Sequence, residues 1–139
     1  MSLSIRNQLP GTITAVTSGE AMAIVQVSLD MGGRLTAAIT REAAEDLALD
    51  EGTPVRALVK ATEVALATGE VDGLSIRNRL PGTVAGISAG GAMASVKIGV
   101  EGGELTAVIT RESATDLGLS AGMRVTALIK STEVSLATA

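Results

Sequence analysis

Two sets of hydrogen-bond donors recur along this 139-residue chain: Ser4, Arg6, Thr40 and Lys60, then Ser75, Arg77, Thr110 and Lys130, with Ser113 and Ser131 added in the second set. Arginine offers a planar fork of N–H groups, lysine a mobile ammonium, and the hydroxyls short directional donors. Thr40 and Thr110 each precede a run of helix formers, where free backbone N–H groups also attract negative charge. Together the sets suit a tetrahedral oxyanion. The same residues also suit plainer work, because a threonine before a helix is usually a cap and a strand-end arginine or lysine is usually solvated. Residue types alone leave both readings open.

Other chemistry is harder to build from this inventory. The chain has no histidine and no cysteine, so it has no Ser-His or Cys-His nucleophile pair, no imidazole base and no soft transition-metal site. Glu42 with Asp46, and Glu112 with Asp116, sit four residues apart as carboxylate pairs, but near a helix start they read as a solvated acidic face. No glycine cluster has the spacing of a nucleotide phosphate loop. No catalytic residues are expected, and the chain is not expected to be an enzyme. A net charge of −4 and the absence of Phe, Tyr and Trp argue against nucleic acid as a partner, which needs many phosphate-neutralising cations or stacking platforms. Apolar runs are as short as Met22-Ala23-Ile24-Val25, far from the ~18 residues of a membrane helix. No membrane partner is expected, and with no basic flank and apolar stretch of a leader at the N-terminus, a cytoplasmic location is.

The donors recur because the chain is duplicated. Matching Ser4–Thr12 with Ser75–Thr83 and continuing to Ala67 and Ala137 gives roughly 36 identities over about 63 positions. The registers differ by one residue, an extra Met31 opposite Glu101-Gly102-Gly103, which suggests a surface turn. This predicts a first unit over residues 1–67, a linker over 68–73 and a second unit over 74–139. Each unit is small enough to be marginal alone. With no disulfide, metal or aromatic to add stability, repeat must pack on repeat or chain on chain, so an obligate oligomer is expected.

Within a unit, Gly11–Thr17, Ile24–Leu29 and Val55–Lys60 alternate apolar and polar side chains and are rich in β-branched residues, the pattern of half-buried strands. Arg41–Leu47 and Arg111–Leu117 are instead good helix formers behind Thr40 and Thr110 as caps. The predicted order is four strands, a short helix and two strands. Its first strand is placed at Leu3–Asn7 and its last at Glu63–Ala67. The fold class is all-β with one short helix per repeat: two tandem OB-like Greek-key barrels.

Four blocks appear in order in both copies. In the first they are Ser4-Ile5-Arg6-Asn7-Gln8-Leu9-Pro10-Gly11-Thr12, Gly19–Ala23, Ile39–Glu42 with Asp46-Leu47, and Ala57–Val64. These blocks resemble the molbindin or Mop unit of the TOBE domain group, and the resemblance covers nearly the whole chain. It implies a tandem, or di-Mop, molbindin: a homotrimer of two-domain chains holding molybdate or tungstate at interfaces between domains, for molybdenum storage or homeostasis. No organic cofactor is implied, and no metal is ligated directly by side chains, since molybdenum arrives as its oxyanion.

Carried onto this chain, the resemblance implies anion contacts from Ser4, Arg6, Asn7, Thr40, Lys60 and Ala61, and from Ser75, Arg77, Asn78, Thr110, Ser113, Lys130 and Ser131. Departures are Ile5 and Ile76 where the family commonly has alanine, and Met22 and Met93 near where it often has asparagine. The first copy also has Ala43 opposite Ser113 and Ala61 opposite Ser131, so sites drawing on the second copy's helix start are expected to bind more tightly. Two other readings stay in view: an oxyanion-sensing regulatory module acting on a partner protein, and a structural barrel with degenerate sites.

Overall fold

In the computed structural model, which describes residues 2–138, each repeat runs strand, strand, strand, helix, strand, 3-10 turn, strand. The first comprises β1 (Asn7–Ser18), β2 (Met22–Leu29), β3 (Arg34–Thr40), α1 (Arg41–Asp46), β4 (Pro54–Val59), a turn at Ala61–Glu63 and β5 (Ala65–Ala67). The second comprises β6 (Asn78–Ala89), β7 (Met93–Val100), β8 (Gly103–Thr110), α2 (Arg111–Asp116), β9 (Arg124–Ile129), a turn at Ser131–Glu133 and β10 (Ser135–Thr138).

The strands form two antiparallel five-stranded sheets, ordered β10-β4-β1-β2-β3 and β5-β9-β6-β7-β8. Each sheet therefore takes one edge strand from the other repeat. Ser135–Thr138 pair with β4, Ser135 opposite Leu58, while Ala65–Ala67 pair with β9, Ala65 opposite Leu128. The long strands β1 and β6 each carry a bulge, between Ile13 and Ala15 and between Val84 and Gly86. The extra residue bends the strand and deepens its twist, so each sheet curls into an OB-like half-barrel. Pro10 is tolerated in β1 because it lies just before the pairing with β2 begins at Gly11, and its carbonyl accepts from Asp30 N at 2.9 Å.

Alternation fills one core. Leu9, Ile13, Val25, Val27 and Leu35 of the first repeat are buried in the same cluster as Leu80, Val84, Val96, Ile98 and Leu105 of the second. Repeat packs on repeat, which supplies the apolar burial that neither ~65-residue unit gives alone. The two hairpin turns also meet. Met31, the inserted residue, lies against the β7–β8 turn, so closely that a methyl on Gly102 (φ 73°) would sit 2.7 Å from the Met31 carbonyl oxygen.

Two of the expected strands differ. Leu3–Arg6 is not a strand; pairing starts at Asn7, whose side chain turns inward and is buried while Ser4 and Arg6 stay exposed. Each repeat therefore has three strands before its helix, not four. Glu63–Ala67 is split, because Val64 drops into the core behind the 3-10 turn and only Ala65–Ala67 pair. Both helices form as expected. Thr40 Oγ1 accepts from Ala43 N, and Thr110 Oγ1 from Ser113 N, each at 3.1 Å.

Candidate functional site

The second repeat's donors converge where the segment before β6 passes the turn after β9. Ser75, Ile76, Arg77, Lys130, Ser131 and Thr132 line one depression of about 250 Å³. An adjoining groove of about 370 Å³ shares Ile76 and Lys130 and adds Thr110, with Thr62 and Glu63 from the first repeat. Their arrival there follows from the topology. The turn Ala61–Glu63 packs on β8, the strand that delivers Thr110, and Ser131–Glu133 packs reciprocally on β3, which delivers Thr40. The groove is thus walled by both repeats.

The cations there have no competing partner. Among the described residues the one ion pair is Arg41 Nε–Glu45 Oε1 at 2.8 Å, so Arg6, Lys60, Arg77 and Lys130 remain exposed charges. Ser131 Oγ is shielded from solvent and has no hydrogen-bond partner, alone among the described side chains. A shielded hydroxyl without a partner carries a desolvation cost that a bound acceptor would remove. Ser131 Oγ is free to donate to an acceptor that enters the depression, and an oxyanion is such an acceptor.

The remaining residues are placed differently. Thr40 and Thr110 are helix caps first. Thr110 Oγ1 also donates to Ser113 Oγ at 2.7 Å, and Ser113 faces a separate groove with Leu66, Ile109 and Asp116. In the first repeat Ser4, Arg6, Thr40 and Lys60 are exposed, and Ala61, 8% exposed, stands where the second repeat has Ser131. The scaffold matches: Lys60 (φ −63°, ψ 138°) and Lys130 (φ −65°, ψ 138°) enter their turns alike.

Asn7 and Asn78 have another task. Asn7 Nδ2 donates to Thr106 O and Thr106 N donates to Asn7 Oδ1, both at 2.8 Å. Asn78 does the same to Thr36 of the first repeat, at 2.8 and 2.7 Å. Thr36 and Thr106 lie on β3 and β8, the outer strands of their sheets, whose free backbone groups need partners. Each asparagine amide imitates one residue of a neighbouring strand and ties its repeat to the other's edge. Sequence reasoning missed this role, and it missed Thr132 and Arg79. Arg79 could have been found, since it is the one change, opposite Gln8, between the blocks Ser4–Thr12 and Ser75–Thr83.

Comparison with known proteins identifies the repeated unit. The TOBE domain model matches twice, over residues 3–66 and 74–136. The molybdenum-pterin-binding protein MopA of Rhodobacter capsulatus is 42% identical over 139 residues, 99% of this chain and 52% of that protein. The molybdenum transport protein ModE of Azotobacter vinelandii is 37% identical over 138 residues, 99% of this chain and 51% of that protein. The chain thus spans about half the length of the curated relatives it matches. A crystal structure of the cytoplasmic molybdate-binding protein ModG, with molybdate bound, superposes with a TM-score of 0.97 at 39% identity, covering 100% of both chains. With two matched domains, a duplicated donor set and a full-length structural counterpart, this chain belongs to the TOBE domain family as a tandem pair of Mop-type units.

Proposed function

We propose that this chain binds molybdate, or its close analogue tungstate, reversibly and without transforming it, and serves molybdenum storage or homeostasis in the cytoplasm. The observation that carries the reading is the depression holding Ser75, Arg77, Lys130 and Ser131, with free cations and a shielded hydroxyl lacking any partner. The likeness of the whole chain to a molybdate-binding protein supports it. The dianion exchanges its water for a preformed set of N–H and O–H donors, which offsets desolvation because its oxygens are all acceptors. No step needs a nucleophile or a base. Cavity size selects against sulfate, which has the same charge and acceptor pattern.

The first repeat's Ser4, Arg6, Thr40, Lys60 and Ala61 form a second site of the same kind, and the chain assembles as a homotrimer. Apolar side chains repeated at equivalent exposed positions, Leu3 with Leu74 and Met22 with Met93, support association through a surface common to both repeats. A second reading, a sensing module that acts on a partner protein, is favoured by the match to half of a molybdenum transport protein.

Isothermal titration calorimetry with molybdate, against sulfate and phosphate, tests the first reading. Molybdate binds, the controls do not, and combined Arg6→Ala and Arg77→Ala abolishes binding in a folded protein. Absence of molybdate binding to the wild-type chain overturns it.

A further inference from the structure

We infer that Arg79 is a positioning residue that holds the second repeat's donor segment in its binding shape and makes that repeat's site the tighter of the two; this rests on the oxyanion-binding reading above. Arg79 spreads its guanidinium over three backbone carbonyls of the segment that carries Ser75 and Arg77. Nη1 donates to Val71 O at 2.7 Å, Nη2 to Leu74 O at 2.7 Å and Nε to Ile76 O at 3.1 Å. One planar fork thus fixes the chain on both sides of Ser75, and Arg79 shares with Ser75 and Arg77 a depression of about 640 Å³.

Among the described residues the first repeat has no such clamp. Gln8 stands in the place of Arg79, and its Nε2 donates only to Ile5 O, at 3.1 Å, while its Oε1 accepts from Arg56 Nη1 at 2.9 Å. Ser4 and Arg6 therefore hang from one neutral bond where Ser75 and Arg77 hang from three charge-assisted ones, which are the stronger kind. A donor segment ordered before the anion arrives loses less conformational freedom on binding, so the gain appears as affinity.

The competing explanation is that Arg79 acts by its charge alone. Lysine separates the two, because an ammonium keeps the charge but lacks the planar fork that spans three carbonyls. Calorimetry with sodium molybdate on the full chain is expected to show two classes of site in the wild type. Both R79Q and R79K weaken the tighter class about tenfold, as the loss of a set of charge-assisted bonds predicts, and leave the weaker class unchanged. In the anion-free protein, NMR order parameters of the amides of residues 74–77 fall in both variants at an unchanged unfolding midpoint. Wild-type affinity in R79K, equal weakening of both classes, a single class untouched by R79Q, or unchanged order parameters in R79Q each overturns the inference. A wild-type chain that takes up no molybdate defeats the functional reading instead, and the order parameters then still decide whether Arg79 orders the segment.

Discussion

Lys60 and Lys130 enter their 3-10 turns with nearly the same backbone angles, yet the next residue is Ala61 in one repeat and Ser131 in the other. The helices show the same contrast, with Ala43 behind the Thr40 cap and Ser113 behind Thr110. So does the left-handed residue that follows each helix: Gly118 at φ 63° in the second repeat, but Ala48 at φ 51° in the first. Between the repeats the picture reverses. The asparagine bridges, the exchanged strands and the packing of each 3-10 turn on the opposite sheet are all reciprocal. The duplicated halves have kept these joining contacts and the Ser, Arg, Thr and Lys donors, and diverged in the small residues beside those donors.

The joining half of that comparison carries the largest expected effect. Asn7→Ala and Asn78→Ala each strand the part-buried N–H and C=O of the opposite threonine, costing about 1–3 kcal/mol in urea unfolding. The two losses should agree, and unequal losses would break the claim of symmetry. Next comes the binding half. Ser131→Ala removes a donor the first repeat lacks, weakening molybdate binding at the tighter sites by about fivefold in calorimetry. Ala61→Ser should narrow the gap between the two classes from the other side. The smallest effect lies away from both. Ala48→Gly relieves a left-handed alanine and should raise stability by roughly 0.5 kcal/mol, while Gly118→Ala lowers it, both read from unfolding midpoints.

Much of this was legible in the sequence because it is local. Alternation in Ile24–Leu29 and Val55–Val59 marks strands, and Thr40-Arg41-Glu42 marks a capped helix start, wherever the rest of the chain goes. The recurrence of Ser-Ile-Arg and of Lys60 and Lys130 sets these donors side by side on paper, and the structure gathers Ser75, Arg77, Lys130 and Ser131 in one depression. Partner choice at a distance was not legible. Val64–Ala67 and Val134–Ala137 are so alike that either could complete either sheet, and pattern alone does not choose between them. The resemblance places Asn7 among the anion contacts, and nothing near it in sequence reveals its bridge to Thr106, 99 positions away. Leu3–Arg6 looked like a strand by composition, yet no neighbouring strand lies along it.

The exchanged edge strands also bear on when this protein can become itself. A chain of two self-contained barrels would finish the first while the second was still being made, since domains generally fold as units from the N-terminal side during synthesis. Here the first sheet waits for Ser135–Thr138 and the second borrows Ala65–Ala67. The first barrel does not close until the second repeat's last strand has been made, so the nascent first repeat presents the open edge of β4 until then. Contacts this distant in sequence also slow folding. During synthesis the protein is a single late-closing unit, however plainly its sequence reads as two.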